Sequence, residues 1–280
     1  MITGMPRIAI ATGDFDGVLD AFRNRLGLPV IDVSEETVPS LGARIAMCVP
    51  VGGSNIELMS PEVPEAPLCQ SLQRFLDRRG QGFFALMLEA PDPDSEAEIL
   101  VGRGLNVLPL MKGAGGRDIH PNSTHGVLIR IYPVNSFDRK SAPGAAFTPL
   151  SGVRRVIIAV KDIQAAIQVY GGRLGLPTDE LTLDPVRGVK RALVHPPTGG
   201  SIELVSVVDH TRPFAAAVAA HLEANPEGLY AMVLHAPDPR ALLEVLEAQD
   251  LDARLAADAM DVVEIGRDSM FGALLRIERS

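Results

Sequence analysis

The chain has 280 residues, of which 46% are hydrophobic and 22% charged, a composition typical of a globular protein long enough for two domains. Its net charge is −9 and no run is rich in lysine or arginine, so we expect no binding to nucleic acid or to an anionic membrane. The sequence shows no signal-peptide pattern and no apolar run near the roughly 20 residues of a membrane span. With only two cysteines, Cys48 and Cys69, it favours a cytoplasmic location.

The predicted elements begin with a β-branched run at 8–11, followed by a helical pattern at 15–26. That pattern ends at Gly27 with a proline two residues later, which is a typical helix stop signal. Strand-like runs follow at 44–49 and 55–59. A helix at about 68–78 then leads to a second round, in which a strand at 83–88, a helix after the APDP sequence and a final strand at 126–132 are predicted.

The same order returns in the second half of the chain. RLGLP occurs at 25–29 and 173–177, an offset of 148, and APDP occurs at 90–93 and 236–239, an offset of 146. We therefore predict a tandem duplication with the order βαβββ twice in each copy. The predicted units are a first domain at 1–134, a linker rich in Ser, Pro, Gly and Ala at 135–152, and a second domain at 153–280.

Three motifs carry a resemblance to a known family: IELMSP at 56–61, GAGGRDIHPNSTHGVLIRI at 113–131, and the RLGLP after the first helix. With them the chain resembles the vicinal-oxygen-chelate superfamily of glyoxalase and bleomycin-resistance proteins, and most of all its methylmalonyl-CoA epimerase branch. The resemblance implies an α+β fold in which four βαβββ units form two glyoxalase-like domains. Each domain would be a cupped mixed sheet with helices outside, and four inward side chains would bind a divalent metal in the cup.

In each copy of this sequence, three of the four metal positions of the family carry no metal ligand. Carried over one by one, they fall on Arg7, Glu57, Ala85 and Arg130 in the first copy and on Arg155, Glu203, Ala231 and Arg276 in the second. Alanine has no donor atom and arginine has no free lone pair. We therefore predict no bound metal and no other cofactor.

Strand alternation places these charged residues inside the cups, where buried charges need partners. We expect Arg7 and Arg130 to lie within salt-bridge reach of Glu57, and the second copy to repeat the arrangement. Two arginines and one glutamate would leave one positive charge per cup, which suits an anionic ligand, with the glutamate as a general base or positioning group. The alternative is a structural ion-pair cluster that replaces the metal.

Three further residues are candidates for substrate binding. His120 and Ser123 match the loop that lies near the ligand cavity in the family, although residues of these types are also common turn formers. His235 could line the rim of the second cup, or it could simply mark the exit of a strand.

These observations leave three functions open. The first is a metal-independent isomerase, epimerase or lyase that acts on a small carboxylate or acyl-CoA-type substrate. The second is a protein of the bleomycin-resistance kind, which sequesters a ligand without chemistry. The third is a metalloenzyme whose ligands lie elsewhere, such as Glu57 with His120 or His125. In each case the partner is a small molecule, and the chain is a monomer or homodimer.

Overall fold

A computed structural model of the protein describes residues 1–111, 113, 115–137 and 149–280. Residues 138–148 of the predicted linker lie outside the described part, so the domain boundaries stay a prediction. Two mixed sheets with helices outside them confirm the predicted α+β class. No helix among the described residues combines the length and apolar character needed to cross a bilayer.

The first domain contains seven strands and four α-helices in the described residues. They are β1 (Gly4–Ala11), α1 (Phe15–Asp20), β2 (Val30–Asp32), α2 (Ser34–Leu41), β3 (Ala43–Cys48), β4 (Asn55–Pro61), α3 (Pro67–Arg79), β5 (Gly82–Ala90), α4 (Pro93–Gly102), β6 (Arg117–Ile119) and β7 (Ile129–Pro133). A π-helical turn (Ala21–Arg25) continues α1, and a 3₁₀ turn (Pro121–Ser123) precedes β7.

The second domain has eight strands and three α-helices. They are β8 (Arg155–Ala159), α5 (Ile163–Ile167), β9 (Thr182–Asp184), β10 (Val189–Val194), β11 (Ser201–Val207), α6 (Pro213–Ala224), β12 (Gly228–Ala236), α7 (Pro239–Ala248), β13 (Ala253–Ala256), β14 (Ala259–Ile265) and β15 (Leu275–Arg279). A π-helical turn (Gln168–Arg173) continues α5, as in the first copy.

Both sheets have the same strand order. It is β2-β3-β4-β1-β5-β7-β6 in the first and β9-β10-β11-β8-β12-β15-β14-β13 in the second. Within the described residues, the eighth strand expected in the first sheet is reduced to a single bridge between Val107 and Ile119. In the middle of each sheet two parallel pairs are joined by an antiparallel one, so each domain consists of two βαβββ units.

The strand registers confirm the predicted duplication residue by residue. Ala9 of β1 stands opposite Glu57 of β4, and Ile157 of β8 stands opposite Glu203 of β11. Arg130 pairs in register with Met87, and Arg276 pairs with Val233, at the same offset of 146. The two sets of charged residues therefore occupy equivalent places in the two sheets.

Local sequence signals explain where the helices start. The aspartates of the two APDP sequences, Asp92 and Asp238, cap α4 and α7, and each is followed by a proline in the first turn. The helices predicted at 15–26 and 163–174 form, but each changes from α to π geometry in its second half. Helix α2 was not foreseen from the sequence.

One continuous apolar core joins the two domains. It contains the helix-facing residues of β1, Ile8 and Ile10, together with Val156 and Ile158 of β8. These are the faces that strand alternation predicts for the helix side of each sheet. Tyr170 is fully buried in this core, and its hydroxyl donates a hydrogen bond of 3.1 Å to the backbone carbonyl of Thr124 in the other domain.

Two glycines form matching contacts at the domain junction. Gly126 has φ of 79°, and a Cβ there would lie 1.7 Å from the carbonyl oxygen of Glu227. Gly272 has φ of 82°, and its Cβ would lie 1.9 Å from the carbonyl oxygen of Gln81. Only glycine fits such an approach with this backbone. Each contact repeats the other with the domains exchanged, as a pseudo-twofold relation requires.

The concave side of each sheet is partly covered by a helix of its own domain. Leu68 and Leu72 of α3 pack against Ala9 and Ala85 in the first cup. In the second cup Phe214 and Val218 of α6 join a cluster with Ala231. The small side chains of Ala9, Ala85 and Ala231 are therefore covered by a helix.

Candidate functional site: two charged cups and an adjoining cavity

The first cup contains the predicted pair of Arg7 and Glu57. Their Nε and Oε2 atoms lie 3.1 Å apart, and the residues are only 5% and 4% exposed. The pair is close but poorly aligned, because neither atom makes a hydrogen bond among the described residues. The Arg7 guanidinium also lies 4.3 Å from the centre of the Tyr132 ring, a cation–π contact that helps to hold it in place.

Arg130 does not join this pair, so the expected three-residue cluster is wrong in the first cup. Its guanidinium donates to both carboxylate oxygens of Asp118, with both distances 2.5 Å. Asp118 is the residue directly opposite Arg130 on the neighbouring antiparallel strand β6. Burial acts to lower the pKa of Arg130, but Asp118 more than reverses this and raises it above its ordinary value. Arg130 is therefore a firmly charged, internally neutralised group.

The second cup confirms the pair of Arg155 and Glu203, with Nε and Oε2 3.0 Å apart. Two further arginines that were not predicted contact the same carboxylate: Arg187 hydrogen-bonds to it, and Arg191 lies 3.5 Å away. Glu203 is fully buried. Burial raises the pKa of its carboxyl, but Arg187, Arg155 and Arg191 outweigh that effect and hold the pKa below its usual value. Such a carboxylate is a weak base.

Other acids balance these arginines. Glu278 accepts two hydrogen bonds from Arg155, of 2.7 and 2.8 Å. Asp184 accepts one of 2.8 Å from Arg187. Glu278 stands where the first copy has Tyr132, at the offset of 146, so the same arginine position is held by an ion pair in one cup and by an aromatic ring in the other.

Arg276 likewise does not contact Glu203, which corrects the prediction for the second cup. It donates to Asp258 at 2.9 and 3.0 Å and to Glu264 at 2.5 Å. Glu264 is directly opposite Arg276 on β14, as Asp118 is opposite Arg130 on β6. The expected surplus positive charge is therefore absent among the described residues of the two cups, because Asp118 offsets Arg130, and Asp258 and Glu264 offset Arg276.

The residues at the family's metal positions do not fit a divalent cation. Ala85 and Ala231 are buried apolar side chains, and the arginines at the other positions are charged and paired. One glutamate per cup remains as a donor, and it is already bound to arginine. Nowhere in the described part of the chain do three or more His, Cys, Asp or Glu residues converge in a way that could hold a metal ion. Glu57 in particular is not grouped there with His120 or His125.

Of the three predicted substrate-binding residues, His120 and Ser123 lie apart from the charged cups, whereas His235 stands beside Glu278, the partner of Arg155. His120 caps the 3₁₀ turn, with Nδ1 accepting from the backbone N–H of Asn122 at 3.1 Å, and Ser123 Oγ accepts from the N–H of Asn106 at 3.1 Å. Both also line a cavity of about 760 Å³ at the domain junction. His235 is half-buried; burial lowers its pKa, partly offset by Glu278. Their role in substrate binding stays a prediction.

An open cavity remains in the second cup beside α6. Its volume is about 540 Å³, and its wall includes Phe214, His221 and Tyr230. The Tyr230 ring makes edge contacts with the other two rings at 5.9 and 5.3 Å. Asp258 and Glu264, the partners of Arg276, also line it. The cavity thus combines an aromatic wall with two carboxylates that are already paired with Arg276.

The fold is similar to that of proteins of known structure. A triple mutant of 4-hydroxymandelate synthase from Streptomyces coelicolor matches with a TM-score of 0.68 and 13% identity over 100% of this chain and 93% of that chain. A xylose isomerase-like TIM barrel/4-hydroxyphenylpyruvate dioxygenase fusion protein matches with a TM-score of 0.66 and 10% identity over 100% of this chain and 49% of that chain. Methylmalonyl-CoA epimerase from Mycobacterium tuberculosis matches 49% of this chain and 93% of its own, with a TM-score of 0.41 and 21% identity.

No protein-family model matches the sequence, and no curated protein matches it either. The structural likeness is therefore a likeness of fold. It confirms the prediction made from the repeated motifs: the chain has a vicinal-oxygen-chelate fold, duplicated in tandem.

Proposed function

We propose that this protein binds a small organic molecule in the open half of the second cup, without a metal, in the manner of the bleomycin-resistance proteins. One observation supports this above all: the charged groups at the metal positions are neutralised by partners within their own domain. They serve as scaffold, and a ligand would enter the adjoining cavity, whose wall includes the buried rings of Phe214 and Tyr230.

The charged residues of the cavity wall indicate which kind of ligand would bind. Arg254 and Arg267 face four acids there, Asp252, Asp258, Glu264 and Asp268. Such a wall favours a neutral ligand with both apolar and hydrogen-bonding parts over the small anion expected from the sequence. An aromatic or aliphatic body would pack on Phe214 and Tyr230.

The proposal is tested by a thermal-shift screen of small organic molecules, followed by calorimetric titration of the hits. Phe214→Leu keeps the apolar volume but removes the ring, and should weaken binding about tenfold, equivalent to roughly 1.4 kcal/mol. Leu68 is the equivalent residue in the first cup, 146 positions earlier, and Leu68→Ala is the matched control that should leave affinity unchanged. Equal effects of the two substitutions would refute binding in the second cup.

A second candidate is the metal-independent isomerase, epimerase or lyase, acting on a small carboxylate or acyl-CoA-type substrate. What favours it is that two carboxylates, Asp258 and Glu264, line the same cavity, where one could take a proton from a bound substrate. Proton–deuterium exchange at the α-carbon of candidate acids and thioesters, followed by NMR, tests it. Exchange that persists in Glu264→Gln and in Asp258→Asn would exclude both carboxylates as the base.

A further inference from the structure

A third cavity, here called the junction cavity, also lies between the two domains and shares Arg79, His120 and Gly126 with the cavity of about 760 Å³ described above. Its volume is about 660 Å³, and its wall carries four arginines and one aspartate: Arg74, Arg78 and Arg79 of α3, Arg267 after β14, and Asp268. Four positive charges less one negative charge leave three positive charges on this wall, in a chain whose net charge is −9. Positively charged side chains are therefore concentrated on this wall, although the chain as a whole is negatively charged.

These arginines differ from those of the cups because they lack acidic partners. In the described residues no carboxylate lies within 4.0 Å of any of the four guanidiniums, which is the limit for an ion pair. Arg267 is held instead by the backbone carbonyls of Gly272 at 3.1 Å and Tyr230 at 2.8 Å. It is thus fixed in position without an ion-pair partner, and burial lowers its pKa although the charge of Glu264 acts in the opposite direction.

The ordinary role of arginines at a helix end accounts for only part of this arrangement. Arg78 and Arg79 stand in the last turn of α3, where positive charge also stabilises the helix dipole. That role does not explain why Arg267 of the other domain faces the same space. His221, on the last turn of α6, lies there too, and burial together with the charges of Arg267 and Arg79 lowers its pKa to about 4.

The rest of the wall is apolar. Phe83 and Phe84 of β5 line the cavity, with Leu128 beside them. A ligand that satisfied this surface would need an anionic group for the arginines and a hydrophobic body for the rings.

We propose that the junction cavity binds a small organic anion, a phosphomonoester or a carboxylate that carries an apolar group. The anionic group pairs with Arg79 and Arg267, one from each domain, and the apolar group packs on Phe83 and Phe84. The site shares Arg267 and His221 with the wall of the cup cavity, but the arginines of α3 and the rings of Phe83 and Phe84 do not line that cavity.

Calorimetric titration of the full chain at low ionic strength tests the site, with phenyl phosphate, benzoate and inorganic phosphate as probes. We expect phenyl phosphate or benzoate to bind, and the tighter of the two identifies the anionic group. Arg79→Gln, and separately Arg267→Gln, should weaken that binding at least tenfold. Arg240→Gln makes the same charge change on an exposed position of α7 outside the cavity, and should leave the affinity unchanged.

An NMR titration of the His221 ring gives a second measure, because an anion held by Arg79 and Arg267 should raise the pKa of His221 from about 4. Circular dichroism establishes that each variant is folded. Absence of binding by both organic probes at millimolar concentration, equal weakening in Arg240→Gln, or inorganic phosphate binding as tightly as phenyl phosphate would each overturn the proposal. An unchanged affinity in Phe214→Leu would separate this site from the cup.

Discussion

Asp118 lies directly opposite Arg130 on the adjacent antiparallel strand and accepts two hydrogen bonds of 2.5 Å from it. Glu264 and Arg276 repeat this relationship in the second domain. In both cups the arginine at a family metal position is matched with an acid from its neighbouring strand. The pairs are buried, so their main physical consequence is on stability.

Removing one partner of a buried pair should lower the stability of the protein. Asp118→Ala leaves the Arg130 guanidinium buried without its carboxylate, and should lower the free energy of unfolding by about 3–5 kcal/mol. Urea denaturation followed by circular dichroism measures it. Asp94→Ala, which breaks the exposed ion pair with Arg117, is the control and should cost no more than about 1 kcal/mol. A loss in Asp118→Ala as small as in the control would contradict the buried-pair account.

Replacing both partners by apolar residues should be far less harmful. The double variant Asp118→Leu with Arg130→Met removes both charges together, and its stability should lie within about 2 kcal/mol of the parent or exceed it. The same variant should still bind ligand in the second cup. Loss of ligand binding with an intact fold would instead show that the first-cup pair takes part in function.

The two glutamates should respond differently to substitution. Glu203 is surrounded by Arg155, Arg187 and Arg191, whereas Glu57 has Arg7 alone as its ion-pair partner in the described structure. Denaturation of the two alanine variants should therefore show a larger stability loss for Glu203→Ala, since that change breaks ion pairs with three arginines and Glu57→Ala breaks only one. Glu57→Gln should keep the fold largely intact, because glutamine retains the shape. A larger loss in Glu57→Ala would be inconsistent with the arginine cluster.

The depressed pKa of Glu203 predicts a pH dependence of stability. Its carboxyl has a pKa below the ordinary 4.5 in the folded protein, so the unfolded chain binds more protons in the interval between the two values. This stabilisation is complete above about pH 4.5 and is lost as the pH falls through the folded pKa. Glu203→Gln should flatten that part of the stability profile, measured by urea denaturation at each pH. Glu244→Gln, at an exposed position of α7, should not.

The residues at the metal positions also predict the metal content of the purified protein. With alanine and paired arginine at the family positions, we expect protein purified without chelators to contain well below one zinc, iron, cobalt or nickel per chain by elemental analysis. A stoichiometric metal would show that donors outside the cups hold it.

The repeat in the sequence predicted the fold and the placement of the charged residues, but only part of their pairing. The acid opposite each arginine could have been found from the repeat. Asp118 and Glu264 are 146 positions apart, as are Arg130 and Arg276. Arg187 could not be found in this way, since the first copy has Leu41 at the equivalent position.

The sequence also did not reveal that a helix covers the concave side of each sheet. The period of α3 showed an apolar face but not which surface it would meet, and strand alternation alone could not reveal that Leu72 lies against Ala9. Such contacts depend on the curvature of the sheet and on the path of the connecting segment, which strand and helix periodicity do not specify.

One apolar core contains both Ile10 of β1 and Ile158 of β8, and we expect the duplicated chain to unfold as a single cooperative unit for that reason. Either half on its own would expose those apolar residues that now pack against the other half, so we expect the stabilities of the two halves to be coupled. A denaturant melt should consequently show one transition in place of two. A destabilising change deep in one copy will lower the midpoint of the whole molecule, and the cavity of one domain keeps its shape only while the other domain stays folded.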